Sequence, residues 1–380
     1  MPLTRRQTLR LVGGGTILAA GTAAAVPLTR QPTDALAPWG AAGGYAEPRM
    51  RALSYAILAP NPHNRQPWLV DLSVPDTVTL YVDLDRLLPH TDPFNRQITI
   101  GLGCFLETLR MAALQDGYAV AFDLFPQGDD PTALDGRPVA ICRFAPTDAP
   151  SDPLFAQVPF RRSLKEPFDM TRTVDPADLD AVAAVARHST VAHTTDPAAI
   201  PVLRDLSEQA MRIEFDTHRT YKESVDLFRI GAKEINANPD GIDLGGPLFE
   251  AMRMTGLFTR EAAMIPGGTA KEQGWQAVRA NFITAMGYIW QVTPTNTRID
   301  QIRAGQDWMR LNLALTEKGI GQQPLSQALQ EFPEMADTYA EVHALLAPTG
   351  GTVQMWARVG YGPDVPQSPR WSIEDKLIGG

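Results

Sequence analysis

APNPHNRQPW, residues 59–68, gathers three prolines, two asparagines, an imidazole and a guanidinium into ten positions. An apolar segment precedes it and the alternating run WLVDLSV (68–74) follows it. The sequence therefore predicts a stiff polar loop between two packed elements. Proline fixes φ and thins the unfolded ensemble, so such a loop can hold its amide groups in place at low entropic cost. Fixed amides suit a planar polar ligand.

Working outward, strand-like alternation appears in WLVDLSV, TVTLYVDL (77–84), YAVAFDLF (118–125) and PVAICRF (138–144), and again in MGYIWQVT (286–293) and TVQMWARVGYG (352–362). Between the first strands, Leu102, Phe105, Leu106, Leu109, Ala112 and Ala113 recur at helical spacing and Gly117 supplies a stop. This predicts a helix over about 101–116. A second segment matches it at a constant offset, 305 − 103 = 319 − 117 = 202, pairing Gly103 with Gly305, Gly117 with Gly319, and Arg96 with Arg298. Two readings fit: a degenerate duplication, or two amphipathic helices that share only their glycine caps. The expected class is α+β, each half a mixed sheet flanked by helices.

Residues 197–264 interrupt the second half with polar helical segments around an NANPDG turn (236–241), and place Phe249, Met252, Met254 and Phe258 close together. These side chains suit either a cover over a ligand or ordinary core. The segment PFRRSLKEPF (159–168) alternates Arg161, Ser163 and Lys165, a guanidinium, a hydroxyl and an ammonium on one side of an extended chain. A phosphate fits that set; so does a solvated loop.

Charge and motifs narrow the class. The 380 residues carry a net charge of −9 with no basic stripe, which argues against nucleic acid. Cys104 and Cys142 form no cluster and the six histidines no HExxH pattern, so no metal site is expected. The G-x-S-x-G, Walker-A and G-x-G-x-x-G signatures do not occur in the expected contexts. Arg5 and Arg6 precede the acid-free run LVGGGTILAAGTAAAV (11–26), a pattern of twin-arginine export with cleavage near Ala23–Ala25. Three consecutive glycines weigh against a packed helix there. The expected organisation is a signal over 1–25, a Pro/Gly/Ala linker over 26–45, and halves over 46–150 and 151–380.

Four loops resemble one family. PNPHNRQPW is similar to the Asn-Gln-Pro-Trp loop of nitroreductases, RRSLKEPF resembles their phosphate segment, GIGQQPLSQ (319–327) resembles the loop that meets the flavin N5 edge, and PQSPR (366–370) ends in the expected C-terminal arginine. Each motif occurs once, split between the halves. With the twin-arginine start, the chain resembles the Acg-type FMN-binding nitroreductase-like proteins, as a fused pseudo-dimer that keeps one flavin site and implies a monomer.

That resemblance implies an FMN site. Arg161, Ser163 and Arg370 would hold the phosphate, with neutral Gln367 where a lysine often stands. Lys165 would lie toward N1 and O2; backbone around Pro324, Leu325, Ser326 and Gln327 would meet N5 and O4. Pro60, Asn61, Pro62 and Asn64 would wall the ring, while Gln66 and Trp68 brace the loop. The implied function is an exported oxidoreductase that moves two electrons from a small-molecule donor to a quinone, nitro compound or related acceptor, in the periplasm or cell envelope after passage through the twin-arginine translocase. The alternatives are a flavin-sequestering protein with a covered cofactor and a cofactor-free structural pseudo-dimer. No protein residue is assigned a catalytic role, since hydride transfer needs none.

Overall fold

The computed structural model describes residues 30–379; the export signal expected over 1–25 lies outside them. β1 (Trp68–Asp71), β2 (Thr77–Val82), β3 (Tyr118–Leu124) and β4 (Ala140–Pro146) form an antiparallel sheet in the order β1-β2-β4-β3. Val78, Leu80 and Val82 face the core at the period of two that a strand imposes. β5 (Thr190–Thr194) opens the second half, β6 (Phe228–Ile230) and β7 (Ile242–Leu244) make a small parallel pair, and β8 (Gly287–Thr293), β9 (Gly321–Pro324) and β10 (Thr352–Gly360) complete a second antiparallel sheet, β5-β8-β10-β9. The tail of the second half then crosses over: β11 (Leu377–Ile378) pairs parallel with β1, so the first sheet is finished by the C-terminus.

Two 20-residue helices, Arg96–Gln115 and Arg298–Glu317, lie back to back within one core cluster, each buried along most of its length. Their contacts are reciprocal at the 202-residue offset. A Cβ on Gly103 would sit 2.1 Å from the Ile302 carbonyl oxygen and 2.9 Å from Gly305 Cα, and one on Gly305 would sit 2.0 Å from the Ile100 oxygen and 2.8 Å from Gly103 Cα. Arg96 and Arg298, each 1% exposed, both reach across. Arg96 donates to the Leu329 and Gln354 carbonyls at 2.6 and 2.7 Å, and Arg298 to the Asp130 carbonyl and Thr99 Oγ1 at 2.9 and 3.2 Å. Such exchange of equivalent contacts is the local signature of an isologous interface within one chain. Gly117 and Gly319 follow the two helices at φ +76° and +66°.

Four expectations need correction. The linker over 26–45 contains a helix, Thr33–Ala41, whose Trp39 is buried and donates from Nε1 to the Ser368 carbonyl at 2.8 Å. The insertion is also longer than 197–264 and divided by its packing, because it fills the whole path between the neighbouring strands β5 and β8. Helix Ala199–Asp216 sends Ile200, Leu203, Leu206 and Ala210 into the second core, and helix Thr269–Phe282 adds Trp275 and Phe282. Only the middle stands apart, around the small cluster of Tyr221, Val225 and Ala263. RTYKESVDLFRIGAKEI (219–235), among the segments expected to be helical, is not one helix: after His218–Asp226 comes β6, and Gly231 at φ +78° starts a new helix, Gly231–Ala237. Met254 is 49% exposed and Met252 half-buried, so neither is core.

Candidate functional site

The loop 59–68 is strained and tied down at once. His63, Asn64 and Gln66 hold φ of +47°, +50° and +51°, a left-handed conformation that costs non-glycine residues on the order of 1 kcal/mol or more each. Hydrogen bonds offset it. Asn61 Oδ1 accepts from the Gln66 N–H at 2.7 Å, Gln66 Nε2 donates to the Pro239 carbonyl at 2.6 Å, Gln66 Oε1 accepts from the Trp371 N–H at 2.8 Å, and Lys376 Nζ donates to the Gln66 carbonyl at 2.9 Å. Gln66 and Trp68, both fully buried, brace the loop. Asn61 and Asn64 also spend their amides internally: Asn64 Nδ2 donates to the Pro369 carbonyl at 2.9 Å and Asn64 Oδ1 accepts from Arg370.

Arg161 and Arg370 meet behind this loop. Arg161 Nη2 and Arg370 Nη2 donate to the same Leu58 carbonyl at 3.0 and 3.1 Å. They are 3% and 2% exposed, and neither makes an ion pair among the described residues. Burial pushes the Arg161 guanidinium down to about 10; burial and then the charge of Arg161 push Arg370 down to about 9. The Nε atoms of Arg161, Arg162 and Arg370 are buried without a partner. Arg162 and Arg370 lie 5.0 and 5.5 Å from the Trp39 ring centroid, which makes the unexpected N-terminal helix a wall of the same cluster. Two buried like charges that no carboxylate bridges are unfavourable, and an anion resolves them. A cavity of about 330 Å³ opens on the other side of Arg370, lined by Ala35, Tyr45, Asn236 and Trp371 and also by the carboxylates of Asp34, Glu374 and Asp375.

Ser163 is half-buried and has no hydrogen-bond partner among the described residues; Lys165 is exposed, its carbonyl held by Asn281 Nδ2 at 2.9 Å. The segment is pinned to the second sheet by the Leu164 N–H, which donates to the Gln322 carbonyl at 2.8 Å. Lys165 lies within charge range of His63, and burial, then Lys165 and Arg65, push the His63 imidazole down to about 4. His63 is thus neutral at physiological pH.

The opposite wall comes from the second half. Pro324 pairs with Ala357 at the sheet edge, and the Ser326 and Gln327 N–H groups have no partner among the described residues. Leu325 departs from its expected role: its side chain is in the second core and its N–H and carbonyl both bond to Trp356. Asn61 and Pro62 pack at Gly101 of the first long helix, where a Cβ would meet them at 3.1 and 3.2 Å, while Leu329 is held by Arg96 of the same helix. Five residues of helix separate those anchors, about 7 Å along the axis. Both segments are thus tied to the first turns of one helix.

Three contributions escaped sequence reasoning. Glu214, on helix Ala199–Asp216, is 4% exposed and accepts from Gln330 Nε2 at 2.8 Å, also bonding Gln327; burial pushes its carboxyl up to about 7. Asp240, in the NANPDG turn, meets Arg65 Nη1 at 3.1 Å, Arg229 Nη2 at 2.7 Å and Arg86. With the Gly241 N–H on the Asn64 carbonyl at 3.3 Å, this straps residues 238–244 onto the loop. Asp243 follows in β7, within charge range of Lys165 and Arg370. The turn itself was legible as a turn; nothing in its sequence says what it lands on.

The comparisons bear on this geometry. No family model matches the chain. The Mycobacterium tuberculosis protein acg, which bears the name NAD(P)H nitroreductase, is 32% identical over 341 residues, covering 85% of this chain and 93% of the relative. A second protein of that organism, similarly named, is 24% identical over 337 residues, covering 86% and 89%. Among solved structures, the FMN-dependent nitroreductase NfnB of Mycobacterium smegmatis, in complex with NADPH, matches with TM-score 0.33 and 20% identity over 58% of this chain and 95% of its own. A nitroreductase structure from Anabaena variabilis matches with TM-score 0.38 and 12% identity over 76% and 69%. On the full-length similarity to acg, the chain belongs to the nitroreductase family.

Proposed function

We propose that this protein is an FMN-dependent oxidoreductase, built as a fused pseudo-dimer with one cofactor site. The observation that carries the reading is the pair of buried guanidiniums, Arg161 and Arg370, which share a carbonyl, form no salt bridge among the described residues and leave their Nε atoms unpartnered. A phosphate monoester supplies the missing charge and acceptor oxygens. Arg161 and Arg370 would hold it with Ser163, whose hydroxyl is free to donate. Lys165 would place its ammonium toward the ring, and the unpaired Ser326 and Gln327 N–H groups would donate to its edge. When bound, FMN supplies two-electron chemistry between a nicotinamide-type donor and a quinone, nitro or related acceptor. The residues bind, orient and exclude water.

The strap over residues 238–244 supports a second reading, a flavin-holding protein whose cover slows exchange with donors and acceptors. The twin arginines support export through the twin-arginine translocase to the periplasm or cell envelope, which Arg5→Lys with Arg6→Lys should block. The test of the main reading is flavin content: purified protein should carry FMN at one per chain and oxidise a reduced nicotinamide with a quinone or nitro acceptor. Stoichiometric FMN without turnover favours the covered, holding protein. Flavin-free protein that takes up no FMN refutes both.

A further inference from the structure

The helix Thr33–Ala41 is too weak to stand alone, and its docking partners belong to the cation cluster. Its sequence, TDALAPWGA, places Pro38 inside the helix and Gly40 in the last turn, and Pro32 before it supplies no side-chain cap. Nine residues with those breakers do not sustain a helix in water, so docking orders it. Three hydrogen bonds do so. The Ala35 carbonyl accepts from the Arg370 N–H at 2.8 Å, the Ala35 N–H donates to Asn236 Oδ1 at 3.1 Å, and Trp39 Nε1 donates to the Ser368 carbonyl at 2.8 Å. Two of the three go to residues 368–370, the stretch that delivers Arg370. The Trp39 ring, 7% exposed, lies under two guanidiniums, with Cζ of Arg162 and Arg370 at 5.0 and 5.5 Å from its centroid. Both arginines keep a buried Nε without a partner. None of the four nitroreductase-like loops contains Trp39.

We propose that Trp39 is a positioning residue of the phosphate site, its ring holding Arg162 and Arg370 in place, and charged, for an anionic ligand. The inference rests on the FMN reading above. Buried guanidiniums need compensation. A carboxylate would supply it and would also compete with the phosphate, whereas the negative face of an indole compensates the cations without neutralising them and leaves their N–H groups available. The geometry of both arginines suits that division. Arg370 spends Nη1 and Nη2 on Asn64 Oδ1 and on the Pro369, Leu58 and Ala59 carbonyls, which leaves its Nε for a ligand and its flat face for the ring. Arg162 is held by Nη1 alone, on the Pro159 and Arg161 carbonyls at 2.9 and 2.7 Å, so the ring supplies its second constraint. Through Nε1 the same indole fixes the backbone that carries Arg370. One side chain thus orders the cations before the ligand arrives, which removes that ordering from the cost of binding.

The experiment compares full-length wild type with Trp39→Leu, which keeps apolar bulk but loses the aromatic face and the N–H, and with Trp39→Phe, which keeps a weaker face and loses only the N–H. Flavin-stripped proteins are titrated by fluorescence with FMN and with riboflavin, which lacks the phosphate, and with inorganic phosphate by thermal shift. Trp39→Leu should bind FMN on the order of tenfold more weakly, the scale of two cation–π contacts in a largely desolvated site. It should lose most of the thermal protection that phosphate gives and bind riboflavin as wild type does. Trp39→Phe should lose about two- to threefold in FMN affinity, with riboflavin again unchanged. If Trp39→Leu does not fold, that split in Trp39→Phe carries the test alone. Unchanged FMN affinity overturns the inference, and an equal loss for FMN and riboflavin does so too, since Trp39 would then be packing for the whole site. Trp39→Phe as weak as Trp39→Leu overturns the role of the aromatic face and leaves only the bond to Ser368. Wild type that binds FMN no better than riboflavin removes the phosphate from this cluster and the inference with it, while the flavin site stands. Wild type that takes up neither flavin overturns the FMN reading itself.

Discussion

Gly103→Ala should destabilise the protein although alanine is the better helix former. The substitution gains about 1 kcal/mol of intrinsic helix propensity. Against it, the new methyl would lie 2.1 Å from the Ile302 carbonyl oxygen, where real contacts stay beyond 3.0 Å, so the two long helices must part by at least 3.0 − 2.1 = 0.9 Å. The obstacle is backbone in a 20-residue helix and cannot turn aside as a side chain could. A gap approaching 1 Å forfeits a quarter to a half of each dispersion contact it opens. Overpacking of this kind costs about 1–3 kcal/mol, occasionally more, and the rigid neighbour puts this case at or above the top of that range. The net loss should be about 2 kcal/mol, a fall in Tm of roughly 2.5 °C for a chain of this size. Gly305→Ala should cost the same, because its methyl meets the Ile100 oxygen at 2.0 Å. The double variant should lose less than the sum, since the first methyl has already separated the helices. The assay is equilibrium denaturation of all three variants and wild type. A neutral or stabilised Gly103→Ala, or strict additivity, would refute the close reciprocal crossing.

Arg161→Ala with Lys165→Ala should weaken FMN binding at least a hundredfold, two charge-assisted bonds at about 1.5–3 kcal/mol each, read by fluorescence titration of folded apoprotein; stoichiometric retention would misplace the phosphate. Glu214, raised from 4.5 to about 7 by burial, favours the folded state fully below pH 4.5 and loses that contribution as pH rises through 7. Glu214→Gln should therefore gain up to about 3 kcal/mol relative to wild type between pH 4.5 and 8, measured by denaturation at both ends; a pH-independent difference would show that the group does not titrate there. Asp240→Asn leaves Arg65, Arg86 and Arg229 without their shared carboxylate, a loss of about 3–5 kcal/mol confined to the strap. Hydrogen exchange over 238–244 should accelerate and reduced flavin should pass electrons faster to a bulky quinone; unchanged exchange would show that the latch is not Asp240.

Local periodicity and local stereochemistry made much of the framework legible without the structure. The runs 68–74, 77–84, 118–125, 138–144, 286–293 and 352–362 each contain a strand; alternation tracks burial in β2 and β4, whereas β10 is buried on both faces, which its sequence pattern did not show. The first long helix begins at Arg96, five residues before the expected start, because Asp92 accepts from the Gln97 and Ile98 N–H groups at 3.0 and 2.9 Å and so caps the end from outside the apolar pattern. The glycine offset matched the two helices in sequence only; that Gly103 and Gly305 meet in space, where glycine alone admits backbone at 2 Å from where a Cβ would be, came from the structure. What the sequence could not supply were contacts between segments far apart in the chain: Trp39 with Arg162 and Arg370, β11 with β1, and Glu214 beneath Gln327 and Gln330. These depend on loop closures over hundreds of residues, and no local preference encodes them. The Asn-Pro-Asp-Gly turn shows the division within four residues. Its composition fixes that the chain reverses there, and only the tertiary structure decides that Asp240 lands among three arginines.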